Sequence, residues 1–222
     1  MRAMILAAGR GERLRPLTDT LPKPLLEVRG KPLIVWHLER LAAAGFREIV
    51  INVAHLGDLL MSTLGDGGRW GVSIAWSREV HALETAGGIA NARALLGHAP
   101  FLAVNADVFC DYPFARLRAP AGLEGRAGHL VMVPNPPFRP QGDFSLASGK
   151  VGNEPAPRYT YSGIAVFDPC VVDGIAAGDK APLAPLLRAR AAAGQLGGEL
   201  HTGLWSDVGT PERLAELNRM KT

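Results

Sequence analysis

Cysteine is nearly absent: Cys110 and Cys170 are the only two in 222 residues. They build neither a disulfide framework nor a C-x-x-C metal pattern, and they read as reduced thiols. No apolar run approaches the ~18 residues that span a bilayer. The apolar stretch after Arg2 stops at Gly9 without a cleavage-like site, unlike a secretory signal. A cytoplasmic location with no membrane partner is therefore expected. Charge is not massed either. Lys and Arg total 24 against 21 Asp and Glu, a net +3 scattered along the chain. That gives no footprint for nucleic acid, but it is compatible with a small, highly anionic substrate. Internal repeats and low-complexity linkers are also missing. With 47% hydrophobic and 20% charged residues, the chain reads as one domain over 1–222.

What is present is alternation. Strand-like runs at Ala3–Ala8, Glu48–Val53, Val72–Trp76, Phe101–Val104, Leu130–Val133 and Ser162–Phe167 are interleaved with helix-like segments. The helices are expected at Pro32–Ala44, Asp58–Leu64, Thr85–Leu96, Leu183–Ala193 and Pro211–Met220, with Pro32 suited to a first helical position and Gly45 and Gly97 to stops. This order predicts a three-layer α/β fold, Rossmann-like, with a mostly parallel mixed sheet. Between 134 and 157, Pro and Gly accumulate, and irregular structure or short hairpins are expected. A stretch of that length inside one domain is usually functional.

The first strand runs into Gly9-Arg10-Gly11-Glu12-Arg13. Glycines at a strand end let backbone N–H groups approach an anion. The spacing is neither the dinucleotide fingerprint, because Leu14 stands where a third glycine is needed, nor a P-loop. A tight connection alone would also explain two glycines. Arg13 and Lys23 add cations, and Lys23 sits between Pro22 and Pro24 on a backbone expected to be stiff and extended.

The run LAAGRGERLRPLTDTLPKPLLEVRGKPLI, Leu6 to Ile34, closely resembles the signature of the sugar-1-phosphate nucleotidyltransferases, including the spacing from turn to lysine. The resemblance implies a fold of that kind and an enzyme that joins a nucleoside triphosphate to a sugar 1-phosphate. It implies that Ala7, Ala8, Gly9, Arg10, Gly11, Glu12 and Arg13 wrap the triphosphate and that Lys23 meets the α-phosphate. Asp107, after the fourth strand, and Asp207, in Trp205-Ser206-Asp207-Val208-Gly209-Thr210-Pro211, each read as turn residues on position alone. By resemblance they are the two ligands of Mg²⁺, which takes one or two carboxylates together with phosphates and waters. The catalytic set is then Arg13, Lys23, Asp107 and Asp207.

The stretch Glu79 to Gly88 resembles the family's base-reading segment. It implies nucleotide contacts from Glu79, Leu83, Gly87 and Gly88. A carboxylate only accepts hydrogen bonds, so Glu79 facing the base favours UTP, dTTP or GTP over CTP. Glu84 stands where the pattern usually has glycine. Asn105 matches a sugar-facing position, and Gly142, Asp143, Glu154 and Tyr161 fall in segments expected to wall the sugar pocket. Where many relatives carry Glu-Lys, this chain has Glu154-Pro155. Lys150 or Arg158 is the expected replacement for that lysine, and Arg139 joins them as a basic group for an acidic sugar. The length, Leu83-Glu84-Thr85-Ala86-Gly87-Gly88-Ile89 and the Asn135-to-Phe144 segment resemble the branch that uses UTP and N-acetylmuramate 1-phosphate in cell-wall recycling. A mannose- or glucose-1-phosphate guanylyl- or thymidylyltransferase is the alternative enzyme. A non-catalytic nucleotide-binding module is the alternative of another class.

Overall fold

Ala3–Leu6 (β1) is an interior strand of the sheet and is buried on both faces, as an uninterrupted apolar run requires. The computed structural model describes residues 1–118, 123–155 and 157–220; Ala156, inside the stretch expected to be irregular, lies outside them. A short helix, Leu17–Thr20 (α1), and a two-stranded ribbon, Glu27–Val28 (β2) with Lys31–Pro32 (β3), lead into Leu33–Ala43 (α2). Then come Glu48–Val53 (β4), Gly57–Leu64 (α3), Ser73–Arg78 (β5), Glu84–Asn91 (α4), Arg93–Leu96 (α5), Phe101–Asn105 (β6) and Val108–Cys110 (β7). The second half holds Gly128–Val133 (β8), the hairpin Phe144–Ala147 (β9) and Lys150–Gly152 (β10), Arg158–Phe167 (β11), Leu183–Ala192 (α6), Leu196–Leu200 (β12), Trp205–Asp207 (β13) and Pro211–Arg219 (α7).

The nine-stranded sheet runs β5-β4-β1-β6-β11-β8-β12-β10-β9. It is parallel from β5 to β6 and again between β8 and β12, and antiparallel elsewhere. Alternate residues serve opposite layers. Ile5, Ile51 and Val104 face one core with Leu38 and Leu41 of α2, and Met4, Val50 and Ala103 face the other with Ile89 of α4 and Leu187 of α6. Several elements depart from the sequence expectation, among them the short α1, β2, β3, β7 and β13. The single helix expected over Thr85–Leu96 is broken at Ala92 into α4 and α5. The strand β12, containing Gly197 and Gly198, was not expected, because paired glycines argue against a strand interior. No helix among the described residues is long and apolar enough to cross a membrane.

Candidate active site

The parallel half of the sheet ends β1, β4 and β6 side by side, and the cleft opens at their carboxyl ends. Leu6 to Gly9, Gly11 and Lys23 line one side, Ala82, Glu84 and Thr85 another, and Asn105 to Asp107 the floor. Gly11 has φ +71°, and a Cβ there would lie 3.0 Å from Thr18 Cγ2 and 3.2 Å from Lys23 Cβ. Only glycine fits that turn. Thr18 Oγ1 closes it by donating to Gly11 O at 2.9 Å. Arg10, Gly11, Glu12 and Arg13 continue into a second cavity whose far wall is Gly209.

Lys23 opens a 3₁₀ turn, Lys23–Leu25, rather than continuing the extended backbone of Pro22. The stiffness expected from the two prolines therefore comes from a closed turn, with Leu26 N–H donating to Lys23 O at 3.1 Å. The lysine is 11% exposed, and its Nζ lies 2.5 Å from Asp107 Oδ2. Asp107 stands just before β7. That strand pairs antiparallel with β13, which sets Asp207 opposite Val108, and Val208 N–H donates to Asp107 O at 2.7 Å. One hundred residues of chain are thus brought together by a three-residue ribbon. Asp207 Oδ1 accepts an ion pair from Arg213 Nη1.

Among the described residues, no group of three or more His, Cys, Asp or Glu is placed to hold a metal. A closed all-protein cage is therefore absent there. Two aspartates on adjoining segments, one of them against a glycine turn, fit a cation that takes the rest of its ligands from phosphates and water, which is the chemistry of Mg²⁺.

The base side differs from expectation. Glu79 is 7% exposed, and both its oxygens meet protein donors: Oε1 accepts from Asn52 Nδ2 at 2.7 Å and Oε2 from Leu83 N–H at 2.9 Å. Asn52 Oδ1 in turn accepts from Ala7 N–H at 2.8 Å. Glu79 therefore ties the loop at Leu83 to Asn52, and through it to Ala7, instead of lining the cleft. Gly87 and Gly88 are buried packing positions. A Cβ on Gly87 would strike the backbone at Asp179 and Ala181, and one on Gly88 would lie 2.7 Å from Asn52 Nδ2 and 2.8 Å from Glu79 Oε1. Leu83 is buried and contributes its N–H to Glu79. Glu84 does reach the cleft. It has φ +60°, so its backbone keeps the shape of the glycine it replaces while its carboxylate leans to Lys180 at 3.7 Å.

Of the sugar-side residues, Asn105 lines the cleft. It lies against Gly163, whose φ is +79° and whose absent Cβ would meet Asn105 Nδ2 at 2.7 Å. Gly142, Asp143, Glu154 and Tyr161 are not among the cleft's walls. Asp143 accepts from Tyr161 N–H at 2.9 Å and pairs with Arg139 at 3.0 Å. Ser145 donates to Glu154 and holds its carboxyl below the usual carboxylate range. Burial pushes the Tyr161 phenol upward. Arg158 donates to the carbonyls of Gln141, Asp143, Asn153 and Glu154. It clamps the loop and is not free for a phosphate, and Arg139 is likewise held by Asp143. Lys150 sits on β10, four strands from β6. Asn52 and Arg213 were not anticipated. A lone amide inside the apolar run EIVINV was the available signal for Asn52.

Comparison with known proteins agrees with this geometry. The nucleotidyl transferase family pattern matches residues 2–144. The chain is 54% identical over 226 residues to an N-acetylmuramate alpha-1-phosphate uridylyltransferase of Neisseria meningitidis serogroup B, covering 99% of this chain and 98% of that protein. It is 32% identical over 223 residues to a mannose-1-phosphate guanylyltransferase catalytic subunit beta of Xenopus tropicalis, covering 96% of this chain and 62% of that one. In structure it is similar to HddC of Yersinia pseudotuberculosis complexed with GMP-PN, with a TM-score of 0.78 at 18% identity over 98% of this chain and 97% of that one. A Bacillus anthracis protein assigned as a glucose-1-phosphate thymidylyltransferase gives a TM-score of 0.85 at 22% identity over 98% and 94%. With the family pattern over residues 2–144 and 54% identity to the Neisseria protein over nearly the whole of both chains, this chain belongs to the nucleotidyl transferase family.

Proposed function

We propose that this enzyme transfers a uridylyl group from UTP to N-acetylmuramate 1-phosphate and releases pyrophosphate. The observation that carries the chemistry is the contact of Lys23 with Asp107 beside the glycine turn, with Asp207 on the strand that pairs with the segment following Asp107. Choice of nucleotide and sugar rests on the 54% identity, over nearly the full length of both chains, to the Neisseria protein. Such a product belongs to peptidoglycan recycling, in the cytoplasm.

In this reading the phosphate oxygen of the sugar attacks the α-phosphorus in line. Its P–O bond forms as the bond to the β-phosphate oxygen breaks, and pyrophosphate departs. The nucleophile is already ionised at neutral pH, so no general base is needed. The backbone of Ala7 to Gly11 holds the triphosphate, Lys23 meets the α-phosphate and Arg13 the leaving phosphates. Their preorganised charge favours the transition state, where negative charge is spread over the transferring group. Asp107 and Asp207 would hold Mg²⁺, whose contribution is to neutralise phosphate charge and align the reacting groups. Asn105 faces the sugar.

The test is competition. The purified chain is given UTP, CTP, GTP and dTTP in turn, each with equal muramate, glucosamine, glucose and mannose 1-phosphates. UDP-N-acetylmuramate is the expected product. The mannose-1-phosphate guanylyltransferase relatives favour a second reading, and a dominant GDP-mannose product would establish it instead. Absence of pyrophosphate release with every pair would leave a nucleotide-binding module.

A further inference from the structure

Arg213 sits in the first turn of α7, which Thr210 caps, and its side chain is only 14% exposed. Three groups surround its guanidinium. Asp207 takes Nη1 in an ion pair. Phe138 lies under it, with the ring centroid 4.1 Å from Cζ. On the remaining side is Gly209, where a Cβ would overlap Nη2 of Arg213 and lie 3.1 Å from Nη2 of Arg13. Two guanidinium groups therefore converge above one glycine. That glycine walls the cavity lined also by Arg10, Gly11, Glu12, Arg13 and Lys23, where three cations outnumber one carboxylate.

This arrangement is more than a helix anchor. An ion pair with Asp207 alone would need no second arginine at hand, and like charges brought close repel. Their convergence is favourable when an anion of more than one charge lies between them, and a guanidinium fork matches phosphate oxygens two at a time. Asp207 also has two claimants: the guanidinium that pairs with it here and the divalent cation of the proposed function. A cation on Asp207 leaves the guanidinium without its partner, next to the phosphate cavity and already oriented by Phe138. Cation–π contact of this kind holds an arginine without neutralising it.

We propose that Arg213 is a pyrophosphate-binding residue, paired with Asp207 until a divalent cation takes that carboxylate, and that it then joins Arg13 on the leaving pyrophosphate. The inference rests on the nucleotidyl-transfer reading. It adds a residue to it that acts on the leaving group rather than on base or sugar.

The test compares wild type, Arg213→Gln and Arg213→Lys as full-length chains. Binding of Mn²⁺ alone is followed by loss of the free-ion spin-resonance signal, and binding of inorganic pyrophosphate in saturating Mg²⁺ by calorimetry. The two affinities are expected to move in opposite directions. Arg213→Gln binds Mn²⁺ more tightly, because a competing cation is gone. It binds pyrophosphate roughly tenfold or more weakly, the loss of one charge-assisted contact. Arg213→Lys recovers part of the pyrophosphate affinity. A parallel fall in both affinities marks a purely structural arginine and overturns the proposal. So does unchanged pyrophosphate binding in Arg213→Gln beside normal binding in wild type, an outcome that leaves nucleotidyl transfer standing. Failure of wild type itself to bind pyrophosphate removes the functional reading and the proposal together.

Discussion

Replacing Glu79 by glutamine tests whether this residue braces the site or reads the base. The carboxylate receives two donors, Asn52 Nδ2 at 2.7 Å and Leu83 N–H at 2.9 Å. Glutamine offers one acceptor oxygen and one NH₂, so one donor must face another. Turning Asn52 over does not help. Its Oδ1 would then accept from the introduced NH₂, but Ala7 N–H, now bonded to Oδ1 at 2.8 Å, would face the Asn52 NH₂ instead. The defect can move along the chain of three bonds but cannot leave it. A buried polar group without a partner costs about 1–3 kcal/mol. In a chain of this size each kcal/mol lowers Tm by about 2–4 °C, so a fall of about 2–12 °C is expected by calorimetry. KM for nucleotides should rise without a change in the preference for UTP over CTP, because the loop and the turn are loosened together. Gly88→Ala, which drives a Cβ into the same Asn52–Glu79 pair, should act in the same direction. An unchanged Tm together with a roughly tenfold shift in the UTP-to-CTP ratio would refute the reasoning and return Glu79 to the base.

Lys23→Ala should lower kcat by more than about tenfold at saturating substrates, since it removes a nearly buried cation from the reacting phosphate; near-normal turnover in a steady-state assay rejects that role. Asp107→Asn and Asp207→Asn should each raise the Mg²⁺ concentration for half-maximal rate, and the double variant should lose far less than the product of the single losses, as residues sharing one ion do. Multiplicative losses in that cycle would separate the two aspartates. Burial lowers the His37 pKa from 6.5 to about 4, and Nε2 has no hydrogen-bond partner. Between those values the unfolded chain holds a proton that the folded chain does not, so stability rises with pH across the window and is lost on acidification. The loss is about 3 kcal/mol. His37→Leu should flatten denaturant stability between pH 4 and 6.5, and an unaltered acid limb would assign the effect elsewhere.

The glycine turn that lines the cleft was legible in the chain itself. The apolar run into Gly9 and Gly11 specifies a buried strand and a turn whose backbone no larger residue tolerates at Gly11. The spacing to Lys23 is short, so local geometry carries it. Helix α2 was equally plain from its apolar face and Gly45, although Pro32 ends β3 and stands at the N-cap rather than in the first helical position. What tertiary structure alone decided involves partners distant in sequence. Strand β12 forms despite two glycines because a Cβ on Gly197 would meet Arg126 and His129, and one on Gly198 would meet Val151 and the Leu130 carbonyl. The crowding comes from neighbours that no local propensity includes. Asp207 reaches Asp107 only through the β7–β13 pairing, and the two strands are three residues each, too short to announce themselves. Glu79, Asp143 and Arg158 carry charges that composition allows to face a ligand. The fold gives each of them a donor or a carbonyl first, because a charge near the interior must be hydrogen-bonded by whatever stands nearest. Arg213 shows the reverse case. Helix position made it an ordinary first-turn residue, and only the packing of α7 beside β13 sets its guanidinium beside Asp207 and near Arg13.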